Sequence, residues 1–204
     1  MGSKERILRL KDQTRRNILD SALDIVETGG CDALSMRKLA DQIEYSPPVI
    51  YEYFRNKECI YLELAKRGHL TLAEKVREAK SRHRIPEKQI EAMWIAYWNF
   101  AFTHKVFYQL MYGINFVCVP TENDSAEANL VPDLMTEVIA ALFKNKPVSD
   151  ETIRMKYYTY WAVVHGLISL NIIQQTTDEK MGLEILTGAV KGITTSIIFV
   201  PPIN

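Results

Sequence analysis

At 204 residues the chain has room for one large domain or two small ones, and with 47% hydrophobic and 25% charged residues it can bury a core without covalent staples. Its 25 basic and 25 acidic residues cancel, which excludes a global polycation, so any anionic partner must be met by a local patch. The cysteines, Cys31, Cys59 and Cys118, form neither a disulfide framework nor a metal-ligand spacing, and the N-terminus lacks the apolar core of a signal peptide, so a reducing cytoplasm is expected, with no metal and no cofactor.

The first 16 residues hold Lys4, Arg6, Arg9, Lys11, Arg15 and Arg16 against Glu5 and Asp12. Two readings are open: a solvated helix end, or a basic arm that touches phosphate or the minor groove. Ile18, Leu19, Ala22, Leu23 and Val26 then recur at the helical period, and Gly29 and Gly30 stop the helix. Ser35 caps a short helix with Met36, Leu39, Ala40 and Ile43 on one face.

The stretch "YSPPVIYEYFRNK" follows at 45–57. Proline lacks the amide that a first helical turn leaves unpaired, so a helix can begin there. The residue before a proline is pushed out of helical geometry. Pro47 is therefore expected at the cap or just outside, with Ser46 as a cap before it and Pro48 as the first helical residue. The resulting helix is about two turns long and marginal alone. Ile50 and Phe54 supply its inward face, which turns Tyr51 outward. Asn56 caps a longer helix to about residue 82.

Pro86 opens the next helix, whose continuation ends near Gly113, and 113–126 reads as a loop. Helices are expected over about 127–146, 150–175 and 179–199, with Pro147 as breaker and Ser149 as cap. No segment shows strand alternation. The fold class is all-α: an N-terminal three-helix helix-turn-helix domain, 1–57, a connecting helix, 58–85, and a C-terminal helical bundle, 86–204. The longest apolar stretches, "AMWIAYWNFAF" and "WAVVHGLISLNII", run 11 and 13 residues, too short to span a bilayer, so no membrane partner is expected.

Two short helices joined by a tight turn make a helix-turn-helix, whose second helix enters the major groove. The residues "ILDSALDIVETGG…LSMRKLADQIEYSPPVIYEYFRNKECIY" resemble the N-terminal domain of the TetR family of transcriptional regulators. The shared elements are the small-apolar first helix, its glycine, "S-x-R-K-L-A" and "I-Y-x-Y-F-x-N-K-E". One departure is Glu44, where the family usually carries glycine in the turn.

The resemblance implies a double-stranded DNA operator as partner. It implies that Arg37 reaches a base edge, that Ser46, Pro47, Pro48 and Val49 begin the recognition helix, and that Tyr51, Tyr53 and Lys57 meet phosphate. Chemically, Arg37 suits guanine O6 and N7. Pro47, Pro48 and Val49 offer only apolar surface to thymine methyl groups, which leaves specificity to lean on DNA shape.

The second half is unusually aromatic between Met93 and Phe116. Core packing accounts for most of that density, yet it also suits an apolar pocket for a small apolar effector. Trp94, Trp98, Met111, Trp161 and His165 are the expected lining. Trp161, His165 and Gly166 resemble the Trp-x-x-x-His-Gly signature of one TetR ligand-domain subgroup, although a histidine on such a face is also an ordinary structural group.

Leu183, Leu186, Val190, Ile193 and Ile197 are spaced 3, 4, 3 and 4 apart, a coiled-coil-like seam. The family resemblance pairs this seam, with Tyr160 and Val164 of the preceding helix, across a homodimer; burial within one subunit is the alternative. The function expected is a sequence-specific DNA-binding regulator, a repressor released by its effector. A helical-bundle enzyme has only His104, His165 and the cysteines to offer, with no recognisable catalytic spacing. A protein-interaction module using the helix-turn-helix only structurally leaves Arg37, Tyr51 and Lys57 without a purpose.

Overall fold

The structure is a computed structural model that describes residues 3–113, 125–144, 146–174 and 179–199. The chain divides into two compact units, Met1–Arg67 with Val106–Asn123, and Gly68–Lys105 with Asp124–Asn204. Among the described residues every regular element is a helix.

In the first unit, α1 (Ser3–Gly29) is followed by a 3-10 turn (Cys31–Ala33), α2 (Met36–Gln42), α3 (Pro47–Tyr51) and the opening of α4 (Lys57–Ser81). Gly30 takes a positive φ of 74° where α1 stops, a conformation that glycine adopts without a Cβ penalty. Ile18, Leu19, Ala22 and Val26 of α1 are buried, with Leu39, Ala40, Ile50, Phe54, Ile60 and Leu64. Tyr61 is also buried and satisfies its hydroxyl by donating to the Cys31 carbonyl at 2.9 Å. The Lys38 amide donates to Ser35 Oγ at 3.1 Å and the Cys59 amide to Asn56 Oδ1 at 3.0 Å, so both expected caps form.

The helix α3 departs from the sequence reading. It begins at Pro47, not Pro48, with Ser46 as its N-cap residue. Ser46 makes no side-chain capping bond. The cause lies in the prolines: the amide at the second helical position does not exist, and the Val49 amide donates to the Ser46 carbonyl at 3.0 Å. Regular helix ends at Tyr51, but the Phe54 amide still donates to the Ile50 carbonyl at 3.0 Å and carries Phe54 inward.

The second unit holds the rest of α4, α5 (Pro86–Thr103), α7 (Ala126–Leu142), α8 (Asp150–Gln174) and α9 (Glu179–Ile198); α6 (Lys105–Tyr112) lies mostly in the first. Here α5 packs against α7, α8 and α9. Its Trp94, Tyr97 and Phe100 meet a core that includes Met135, Ile139, Tyr160, Val164, Leu186 and Val190. Pro132 stands inside α7, which the sequence reading did not single out; the turn around it loses one backbone bond. Lys180–Ile198 is long and apolar enough to cross a membrane by length and composition alone. Its Leu186, Val190, Thr194 and Ile197 are nevertheless buried in this unit.

Candidate functional site

The turn between α2 and α3 is built on a left-handed residue. Glu44 has φ 58°, the Tyr45 amide donates to the Ala40 carbonyl at 2.9 Å, and the Glu44 amide donates to the Asp41 carbonyl at 3.4 Å. This is the paired bonding of a Schellman cap, in which the left-handed position favours glycine. Glutamate holds the same geometry at a conformational cost. The turn thus keeps its shape despite the departure at Glu44.

Around it stand the expected DNA-contacting side chains. Arg37, Ser46 and Pro48 are exposed, Tyr51 is 54% exposed, and Pro47, Val49, Tyr53 and Lys57 are half-buried. Ile50 and Phe54 anchor the segment from within. The result is an outward surface with a guanidinium, an ammonium, tyrosine hydroxyls and apolar proline carbon. Such groups suit phosphate oxygens and base edges. Tyr45, 42% exposed beside the turn, was not singled out from the sequence; its place directly after Glu44 is the only local signal.

The basic N-terminal stretch is helical from Ser3, with Ile7, Leu8 and Leu10 exposed on it. Arg15 serves the fold: it lies over the Phe54 ring and pairs with Glu63 at 2.8 Å. Burial alone would raise the Glu63 carboxyl, but hydrogen bonds from Arg15 and Lys66 outweigh it and hold it below its ordinary value.

The second unit places the expected lining residues less simply. Trp94 and Trp98 are fully buried. Trp94 stacks on Tyr157 and Tyr160 with centroids 6.3 and 5.8 Å apart. Trp161 donates its indole N–H to the Tyr97 hydroxyl at 3.0 Å and stacks on His165 at 4.7 Å. Trp94 Nε1 is buried with no hydrogen-bond partner among the described residues. Met111 is buried in the first unit, not this one.

The aromatic set around Trp94, Tyr97 and Trp161 therefore fills a core. It is electrically neutral: burial lowers the His165 pKa, raises that of Tyr157, and pushes Tyr160 up to about 12 despite its hydrogen bond with Thr194.

The residues of the expected association seam are largely covered within the single chain. Tyr160, Val164, Leu186, Val190 and Ile197 are buried inside their own subunit, while Leu183 and Ile193 are partly covered. A 3-4 spacing marks a buried stripe without saying which helix buries it. The apolar side chains left outward are Met155, Tyr158, Val163, Leu170 and Ile173 on α8 and Met181 and Ile185 on α9. Gly166, Gly188 and Gly192 have open space where a Cβ would stand, so nothing among the described residues crowds them.

Two family models match the chain. Residues 18–64 match "Bacterial regulatory proteins, tetR family", and residues 90–184 match "Tetracyclin repressor-like, C-terminal domain". The HTH-type transcriptional activator FasR of Mycolicibacterium smegmatis is 25% identical over 129 residues, 63% of this chain; the match spans 58% of the activator's length. Among solved structures, a protein of unknown function from Rhodococcus sp. RHA1 superposes with TM-score 0.73 at 22% identity, covering 89% of this chain and 93% of the other. Thermus thermophilus FadR, a TetR-family transcriptional repressor crystallised with lauroyl-CoA, superposes with TM-score 0.66 at 16% identity, covering 93% of this chain and 97% of that one.

Proposed function

This chain belongs to the TetR family of bacterial regulatory proteins, and we propose that it is a dimeric DNA-binding transcriptional regulator, a repressor whose operator affinity is lowered by a largely apolar effector. The observation that carries the reading is the surface of α2 and α3, where Arg37, Pro48 and Tyr51 are exposed on a helix-turn-helix anchored by Ile50 and Phe54. Arg37 reads a base edge. Pro47, Pro48 and Val49 face the groove with Ser46 at their edge, and Tyr51, Tyr53 and Lys57 meet phosphate. Two copies place α3 in successive major grooves, about 34–36 Å apart.

The second copy is expected on the outward apolar face of α8 and α9, around Leu170 and Ile185, where Gly166, Gly188 and Gly192 admit close approach. The effector is expected to open the aromatic core of the second unit, with Trp94, Trp98, Trp161 and His165 as lining. The core carries no charge to pair with an anion, and an unpaired buried charge costs several kcal/mol. An acyl chain, as in the ligand of the Thermus repressor, fits that character. Because the core is filled, such a ligand acts by binding an opened state more tightly and shifting the population toward it. The site of action is the cytoplasm, where the DNA is.

A second reading, activation, is favoured by the similarity to FasR. The test is affinity selection of randomised duplexes by the full-length protein, followed by titration against salt. Lys57→Ala should flatten the salt slope by about one unit and weaken all sequences alike. Arg37→Ala should instead relax one base pair per half-site. Uncharged apolar ligands such as 1-dodecanol, but not coenzyme A, should shift tryptophan fluorescence and release the duplex. Retention of the duplex would favour activation, and failure of any duplex to bind would sink the DNA reading. Transcription from the selected promoter with and without the protein fixes the sign.

A further inference from the structure

The residues that begin α3 are chemically unusual for a base reader. Pro47, Pro48 and Val49 present only carbon: Pro48 is exposed and its two neighbours are half-exposed. Neither proline has an amide, and the Val49 amide is already bonded to the Ser46 carbonyl at 3.0 Å. Pro47, Pro48 and Val49 therefore give base edges no hydrogen-bond donor from backbone or side chain. Polar edges covered by it would lose water without replacement, which is unfavourable. The one apolar group that natural bases display in the major groove is a 5-methyl.

We propose that this Pro-Pro-Val surface selects 5-methylpyrimidines. The operator half-site carries thymine beneath it, chosen by burial of the methyl group and not by hydrogen bonding. The same surface accepts 5-methylcytosine paired with guanine and disfavours unmethylated cytosine, so cytosine methylation creates binding at near-operator sequences. Ser46, exposed and making no capping bond, puts a side-chain hydroxyl directly before this carbon surface. The inference rests on the DNA-binding reading above and names the chemistry that the site recognises.

The experiment uses the full-length protein and the duplex it selects. Each thymine is replaced in turn by deoxyuridine, symmetrically in both half-sites, and binding is followed by fluorescence anisotropy. Loss of one methyl contact should weaken binding about fourfold per half-site. At that position 5-methylcytosine should bind at least as many fold better than cytosine. Val49→Ala should shrink the thymine–uracil difference while leaving the salt slope unchanged. A duplex bound with strong salt dependence, yet indifferent to deoxyuridine at every position, would overturn the inference and leave DNA binding intact. A methyl effect unchanged by Val49→Ala would also overturn it. If no duplex is enriched and retention on DNA does not fall with salt, the DNA-binding reading fails and takes this one with it.

Discussion

The Arg15 guanidinium lies 5.0 Å above the centre of the Phe54 ring, and its other edge pairs with Glu63 at 2.8 Å. One side chain of α1 thereby touches both the segment that follows α3 and the start of α4. The recognition segment is too short to hold itself, so this clamp matters to its position. Arg15→Ala is expected to lower stability by about 1 kcal/mol, because a partly exposed ion pair and a cation–π contact are each modest. Phe54→Ala should cost about 3–5 kcal/mol. Urea unfolding of both variants checks the ranking. If Arg15→Ala cut DNA affinity without changing stability, Arg15 would belong to the basic arm and not to the clamp.

Glu44 sits at φ 58° in the Schellman turn. A left-handed conformation costs an ordinary L-residue about 1–2 kcal/mol, which glycine avoids, although glycine loses more chain entropy on folding. Glu44→Gly is therefore expected to stabilise the protein by about 1 kcal/mol. Glu44→Val should destabilise it, since a β-branched residue fits that region worst. The urea midpoints of the two variants should move in opposite directions.

The two faces of α9 should respond differently to charge. Leu186 is fully buried in the subunit, whereas Ile185 is 42% exposed. Leu186→Glu buries an unpaired carboxylate and should unfold the second unit. Ile185→Glu, and Leu170→Glu on α8, should leave helical circular dichroism intact while turning dimers into monomers with little operator binding. A dimer that survives both exposed-face changes in sedimentation would place self-association elsewhere.

His69 is 3% exposed, and its pKa is lowered to about 4 by burial, with Glu127 opposing the shift. An unfolded histidine takes its proton near pH 6.5. Between these values the unfolded chain binds a proton that the folded chain does not, so stability rises with pH there. The contribution is fully present above about pH 6.5 and fades as pH falls toward 4. His165, also lowered by burial, acts in the same direction. The expected result is a melting temperature that drops from pH 7 to pH 4.5, with a smaller drop in His69→Phe. Identical pH profiles for the two proteins would mean that His69 does not titrate across folding.

Much of the fold is legible in the chain because helical period, caps and breakers are local. The caps Ser35 and Asn56, the stop at Gly30 and the helix-opening Pro86 act on their own backbone within a turn, and each does so in the structure. The outward position of Tyr51 also follows from local geometry, once Ile50 and Phe54 face inward. The helical start at Pro47 and the idle Ser46 hydroxyl were missed because the cap rule assumes amides that consecutive prolines lack.

By itself, then, the sequence determined the all-α architecture, the helix-turn-helix and the outward turn of Tyr51. It also marked which positions of α9 form a stripe. Only the tertiary structure decided that Leu186 and Val190 spend that stripe inside the subunit. It alone showed Trp94 stacked on Tyr160, Met111 in the other unit, and Arg15 lying over Phe54. The physical reason is the range of the interactions. Caps and periodicity are settled within a few residues, whereas what covers an apolar face depends on which distant helix arrives there.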